Sequence, residues 1–244
     1  MRLRRFITSL LVVAAIVAAV LALLAEFRRS PQDLPWTALD LTDPVGAFTG
    51  RKLAGLMRDA ERCRALMGTA GIRYTALPPK VGPQCDYDNA VRLEPGGSRA
   101  VAFRPPVGVS CPVAAALALW EWHVVQPAAM RHFGEQVVSI DHYGSFSCRR
   151  MYGRSLGDWS EHASANAIDV AGFTLASGER VTVRRDWHGN ANRAAFLDDV
   201  RDGACKLFSS VLSPDYNAAH ADHLHLDQAA RGETGWRVCS WTWR

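Results

Sequence analysis

The sequence has no internal repeats, no concentrated block of basic residues and no Cys-x-x-Cys pair. The missing repeats set aside solenoids and arrays. The formal net charge of +4 is spread along the 244 residues, so it leaves no footprint for nucleic acid, and no nucleic-acid partner is expected. Without Cys-x-x-Cys, neither a zinc ribbon nor a thioredoxin-like redox motif is indicated. Long apolar runs are also scarce. There is one, from Phe6 to Ala25, and no cysteine follows it at once, which counts against a lipid anchor.

That run is long enough to cross a bilayer as a helix. Arg2, Arg4 and Arg5 precede it, while Arg28 and Arg29 beyond it are partly offset by Glu26. The bias keeps the N-terminus inside and exports the rest. We therefore expect residues 1–29 to be a single-pass inner-membrane anchor through residues 6–25, with the C-terminal part in the periplasm. The rival reading is a cleaved signal peptide and a secreted periplasmic protein, although the small-residue site near Ala22–Ala25 is poor. Cys63, Cys85, Cys111, Cys148, Cys205 and Cys239 all lie beyond the run. An even set in an exported chain reads as disulfides in an oxidising compartment, and the sequence does not choose their pairing.

Residues 30–50, with Pro31, Pro35, Pro44 and Gly46, read as a short linker, from which Leu34, Trp36 and Leu39 could dock on the domain beyond it. Residues 51–244 contain enough apolar sequence for one domain. Leu53, Leu56, Met57, Ala60, Cys63 and Leu66 keep helical spacing, ended by Gly68 and Gly71; 74–85 reads as loop and 90–93 as strand. A second helix starts at Cys111-Pro112 and is ended or kinked by Pro127. Strands are expected at 136–140, 168–173, 179–183, 211–212 and 223–226, and a helix over 191–208. The fold class is α+β: a single domain of helices packed on an antiparallel sheet that carries the site.

Two stretches concentrate the chemistry. Ser160-Glu161-His162 runs on to Asp169, and His220-Ala221-Asp222-His223-Leu224-His225 comes later. Four of the eight histidines fall here, beside candidate carboxylates. On a strand, His223 and His225 face one side while Leu224 and Leu226 face the other. Imidazole and carboxylate suit Zn²⁺, and a catalytic site uses three such ligands plus water. A structural polar network is the bland alternative for the same residues. His123, on an aromatic-rich helix, and His132 receive no role.

Ser160-Glu161-His162…Ala167-Ile168-Asp169-Val170 and Asp222-His223-Leu224-His225-Leu226-Asp227 resemble the motifs of the extensin-like C-terminal domain family of bacteria. Cys111-Pro112, Trp120, Gln126-Pro127-Ala128, Ser147-Cys148-Arg149, Ala204-Cys205 and Pro214-Asp215-Tyr216-Asn217 agree, so the resemblance covers roughly Arg51 to Asp227. The chain departs from it at Ser164-Ala165, where a longer polar residue and a glycine are expected. No plant-type Ser-Pro repeat accompanies the motifs. That family in turn is similar to the D-alanyl-D-alanine carboxypeptidase, lysostaphin and hedgehog group of zinc metallopeptidases. The resemblance implies His162, Asp169 and His225 as zinc ligands. It further implies His223 or Asp222 as the catalytic base, His223 being preferred, and His220 as a donor to the developing oxyanion. Asp227 reads better as an acceptor that orients a histidine. Arg149, ahead of Arg150, is the candidate for binding a substrate carboxylate.

The expectation is a zinc-dependent peptidoglycan amide hydrolase of D,D-endopeptidase or carboxypeptidase type, acting on stem or cross-link peptides in the periplasm. Two alternatives stay open: a non-catalytic cell-wall binding or scaffold protein with a structural zinc, and a hydrolase of a non-wall amide or ester.

Overall fold

In the computed structural model, which describes residues 2–99, 101–231 and 237–239, the apolar N-terminus forms helix α1 (Arg2–Arg29). Its Arg4–Ala22 stretch has a mean hydropathy of 2.4 and is buried nowhere against the rest of the chain. It is long and apolar enough to cross a membrane, and a signal sequence has the same character.

The order continues with α2 (Thr49–Gly55), α3 (Ala60–Thr69), β1 (Ile72–Ala76), β2 (Ala90–Gly97), β3 (Ala102–Arg104) and β4 (Gly108–Ser110). Helices α4 (Cys111–Trp120) and α5 (Gln126–Phe133) precede β5 (Val137–His142), β6 (Ala167–Leu175) and β7 (Arg180–Thr182). The chain then forms α6 (Val183–Asp186), α7 (Ala191–Ala204), β8 (Ser210–Leu212), β9 (Leu224–Asp227) and β10 (Val238–Cys239). Strands β1-β2-β4 make a small antiparallel sheet, and the larger sheet runs β10-β8-β9-β6-β5-β3 with β7 also paired to β6. The two form one α+β domain around α4, every residue of which is buried.

Five expectations need correction. The large sheet is mixed, because β3 runs parallel to β5 and β10 parallel to β8; only its central strands, which carry the site, are antiparallel. A parallel β3–β5 pair needs a crossover, and the α4–α5 segment supplies it. The stretch 30–50 is no free tether: Gln32, Leu39, Leu41 and Thr49 are buried, and the Gln32 amide donates to Ala38 and Asp43. Its Trp36 stays exposed, while Leu39 docks. The first expected helix is two, broken at Leu56–Arg58, and the expected 74–85 loop begins inside β1. Finally, Val183 opens α6 rather than ending a strand.

Pro127 does not stop its helix. Residues Glu121–Val125 widen into a π-helical turn, and the chain re-enters regular helix as α5 with the proline in its first turn. A proline ring clashes with the carbonyl four residues back, and the wider turn relieves that contact. The turn also aims Glu121 into the interior, where its carboxylate lies 2.7 Å from Arg99 Nε, both side chains being buried. The backbone N–H of Val101 donates to the same carboxylate, and Arg99 donates to the Val101 carbonyl. Burial pushes the Arg99 guanidinium below its ordinary value against the pull of Glu121. Removing one partner of such a pair strands a charge in low dielectric. Glu121→Ala is therefore expected to cost about 3–5 kcal/mol in urea unfolding.

Three disulfides tie the domain together, Cys63–Cys111, Cys85–Cys148 and Cys205–Cys239, using all six cysteines. Cys85–Cys148 pins the residue next to Arg149, at the edge of the site.

Candidate metal centre

Strands β6 and β9 set two of the key residues. Their antiparallel register places Asp169 opposite His225, with Ile168 opposite Leu226 and Val170 opposite Leu224. Alternation sends the four aliphatic side chains into the core and the Asp/His pair to the opposite face. His162 comes from the short 3₁₀ turn Glu161–Ser164, capped by Ser160, whose hydroxyl accepts from the His162 N–H. The turn is bolted down by backbone bonds from Ser147 N–H to the His162 carbonyl and from Ser110 N–H to the Ala165 carbonyl. Ala165 reverses the chain at φ +55°, a left-handed conformation that costs a residue with a Cβ about 1–2 kcal/mol. This is the position where the sequence departs from an expected glycine, and the backbone there has kept a glycine's shape.

His162 Nε2, Asp169 Oδ1 and His225 Nδ1 converge. The distances are 3.2 Å from His162 Nε2 to Asp169 Oδ1, 3.2 Å from it to His225 Nδ1, and 3.0 Å from His225 Nδ1 to Asp169 Oδ1. The far nitrogens are both committed. His162 Nδ1 lies 2.6 Å from the Ser145 carbonyl, which can only accept. His225 Nε2 lies 3.1 Å from an Asp227 carboxylate that also takes the Ala229 N–H. Each neutral ring therefore gives its hydrogen outward and turns a lone pair inward, toward a carboxylate oxygen. Three lone pairs facing one another are relieved by a proton or by a metal cation among them. These ligand atoms lie within 4.8 Å of one another, and the donor set of two imidazoles and one carboxylate fits a divalent metal such as zinc.

The electrostatics carry the same signature. Burial alone would raise Asp169, but hydrogen bonds from His162 and His225, and their charge, hold it well below the usual carboxylate range. Burial opposes charge on His225 too, yet hydrogen bonds to Asp169 and Asp227 outweigh it and raise the ring to about 9. Without a metal, a proton occupies the place between the two groups.

Around the trio lies a cavity of about 450 Å³, whose walls include Arg149, Trp159, Tyr216, His220 and His223. His223 sits one residue before β9, its Nε2 3.5 Å from Asp169 Oδ1 and its Nδ1 2.9 Å from Asp222. Asp222 is thus brought to the site but not to the trio. The strand begins after it, so parity does not fix its direction; its carboxylate is spent on His223 and on the hydroxyl of Tyr143, whose ring stands edge-on to His223. Arg149 lines the cavity and its positive charge reaches His220, whereas Arg150 stacks on Trp159 and donates to the Gly157 carbonyl.

His220 is held from behind by Asn217. Its Nδ1 is 2.7 Å from Asn217 Oδ1, an oxygen already accepting the Ala219 N–H. The ring must donate there, which leaves Nε2 as an acceptor. Burial, reinforced by the neighbouring His225 and His223, lowers it to about 4 and keeps it neutral. In that form its Nε2 accepts a hydrogen bond.

Sequence reasoning passed over Asn217, Tyr143, Ser145 and Glu161. Asn217 carries the best signal of the four, since an Asn opening a short helical turn satisfies its free N–H groups. Glu161 is pushed up by burial, against a hydrogen bond from Asn166 and the charge of Arg231. His123 and His132 lie outside the cavity.

A mixed sheet whose central strands carry Asp169 and His225, with His162 brought beside them by a 3₁₀ turn, defines the class: an α+β domain with a candidate metal centre. The family model described as "Extensin-like protein C-terminus" matches residues 61–240, and the chain belongs to that family. No curated protein and no solved structure matches the chain.

Proposed function

We propose that this protein is a zinc-dependent amide hydrolase of the D,D-endopeptidase or carboxypeptidase type, acting on peptidoglycan stem or cross-link peptides in the periplasm. The observation that carries the metal is the inward convergence of His162, Asp169 and His225, with both imidazoles fixed by a partner behind them. The resemblance of His162-x₆-Asp169 and His223-Leu224-His225 to the D-alanyl-D-alanine metallopeptidases supports the reaction class. An apolar N-terminal helix and three disulfides support an exported, membrane-anchored domain.

His162 Nε2, Asp169 and His225 Nδ1 would hold the zinc. When bound, zinc supplies Lewis-acid polarisation of the amide carbonyl and a water acidic enough to attack near neutral pH. His223, with its Nδ1–H given to Asp222, presents a lone pair at Nε2, takes the proton of the attacking water and returns it to the leaving amine. Asp222 holds that ring and faces the charge it gains, while Tyr143 steadies Asp222. His220, neutral and held by Asn217, accepts a hydrogen bond in the cleft. Arg149 pairs with a substrate carboxylate.

Incubating the full-length protein in detergent with purified sacculi, with and without chelator, tests this reading. The account predicts chelator-sensitive release of muropeptides with newly exposed amines. Binding to sacculi without any release is what the scaffold alternative predicts.

Metal binding must also displace a proton. His225, at about 9 in the metal-free protein against an ordinary 6.5, adds stability that is complete below about pH 6.5 and fades as pH rises through about 9. Metal-free protein should therefore melt at falling temperatures over that window, and zinc-loaded protein should not. Calorimetry at pH 7 in buffers of different ionisation enthalpy should show about one proton released per zinc bound.

A further inference from the structure

The wall of the metal cleft formed by Ala229, Ala230 and Arg231 has a second face. Behind it lies another cavity, of about 380 Å³, whose lining includes Arg51, Arg58, Arg231 and Arg237, and no acidic side chain among the described residues. The rest of its floor is small, with Gly50, Ala54 and Ala229 leaving backbone close to the surface. A Cβ on Gly50 would stand 2.6 Å from the Lys206 carbonyl and 2.9 Å from Arg237 Nη2, so the floor admits nothing larger.

The guanidinium groups are held differently. Arg237 is half-buried and fixed, donating to the carbonyls of Cys205, Lys206 and Ala47. Arg231 donates to the Ser210 hydroxyl from an exposed position and also acts on Glu161 across the partition. Arg58 is exposed at the rim. The positive charges of Arg58, Arg231 and Arg237 repel one another across the hollow, and an anion with paired oxygens relieves that repulsion while meeting planar donors.

Resting on the hydrolase reading, we infer that this arginine-lined hollow is an anion subsite contiguous with the metal cleft, seating a carboxylate of the peptide substrate away from the bond at the metal. Arg58 and Arg231 supply the adjustable contacts, and Arg237 the fixed charge beneath them. Recognition then depends on a free carboxylate at a distance from the chemistry, so it belongs to binding rather than to the bond-breaking step.

The test uses full-length protein in zwitterionic nanodiscs, in the His162→Ala background so that the probe is not consumed; His223→Ala serves if the first variant fails to fold. The probes are a fluorescein-labelled wall tetrapeptide with free carboxylates and the same peptide with its carboxylates amidated, read by fluorescence polarisation. The free-acid form should bind more tightly, and Arg58→Gln should weaken it by roughly tenfold while leaving the amidated form unchanged. Adding Arg231→Gln should lower the preference further, to the part that Arg149 supplies in the metal cleft. The proposal is overturned if acid and amide bind alike, if neither binds, or if Arg58→Gln keeps the full preference. Loss of acid binding on moving to anionic-lipid nanodiscs would reassign the hollow to lipid phosphate and equally overturn it. Because these readouts need no turnover, a failed sacculus digestion and a failed subsite are distinguishable.

Discussion

His162→Ala is expected to abolish muropeptide release and to empty the centre of metal. The loss in rate should exceed about 10³-fold, because Lewis-acid polarisation is worth several kcal/mol of transition-state stabilisation and each 1.4 kcal/mol is about tenfold. His162 enters the trio from the 3₁₀ turn, whereas Asp169 and His225 face each other across a strand pair. Its removal therefore deletes one ligand and leaves the sheet intact. The variant should keep its circular dichroism spectrum and its disulfides while zinc content falls from about one per chain to near zero. Retained cleavage would sink the mechanism whatever the metal content.

His223→Ala separates metal holding from proton transfer. It should lower kcat by about 10²–10⁴-fold, the usual worth of a positioned acid–base group, with zinc content unchanged. Asp222→Asn, which keeps the shape but weakens the hold on Nδ1, should cost a more modest ~10–100-fold. His220→Ala should cost less than His223→Ala, since its ring has an amide behind it where His223 has a carboxylate. Reversal of that order would exchange the two roles.

Strand parity is a local property, so His-x-His showed two rings on one face; the choice of His162, Asp169 and His225 as a trio came from the family resemblance, because neither the β6–β9 pairing nor the turn that carries His162 is written in local spacing. What parity could not supply was the end of the strand. Asp222 stayed ambiguous because the answer turned on β9 beginning at Leu224, and strand ends are set by tertiary pairing. The proton positions on His220 were out of reach for a related reason. Its tautomer depends on Asn217, whose oxygen is fixed by a backbone N–H of the same turn, and spacing alone says nothing of proton positions. The Ser145 carbonyl behind His162 was invisible, since any residue could provide it.

In the fold, the longer helices and the central strands β5, β6 and β9 followed their periodicities, while the parallel pairs β3–β5 and β8–β10 did not announce themselves. Direction in a sheet is decided by connections, not by the strand's own residues. The π-helical turn shows the limit most clearly. Pro127 argued for an end or a kink, and its cost was met by widening the turn around a Glu121–Arg99 pair that no local pattern reveals.

The central claim is that His162, Asp169 and His225 hold one zinc with an open fourth position. X-ray absorption at the zinc edge on the purified full-length protein tests it most directly. The account predicts about one zinc per chain in a shell of nitrogen and oxygen at about 2.0–2.2 Å, with no sulfur, and its loss in His225→Ala. A protein that takes up no zinc, or the same spectrum in wild type and His225→Ala, would contradict it.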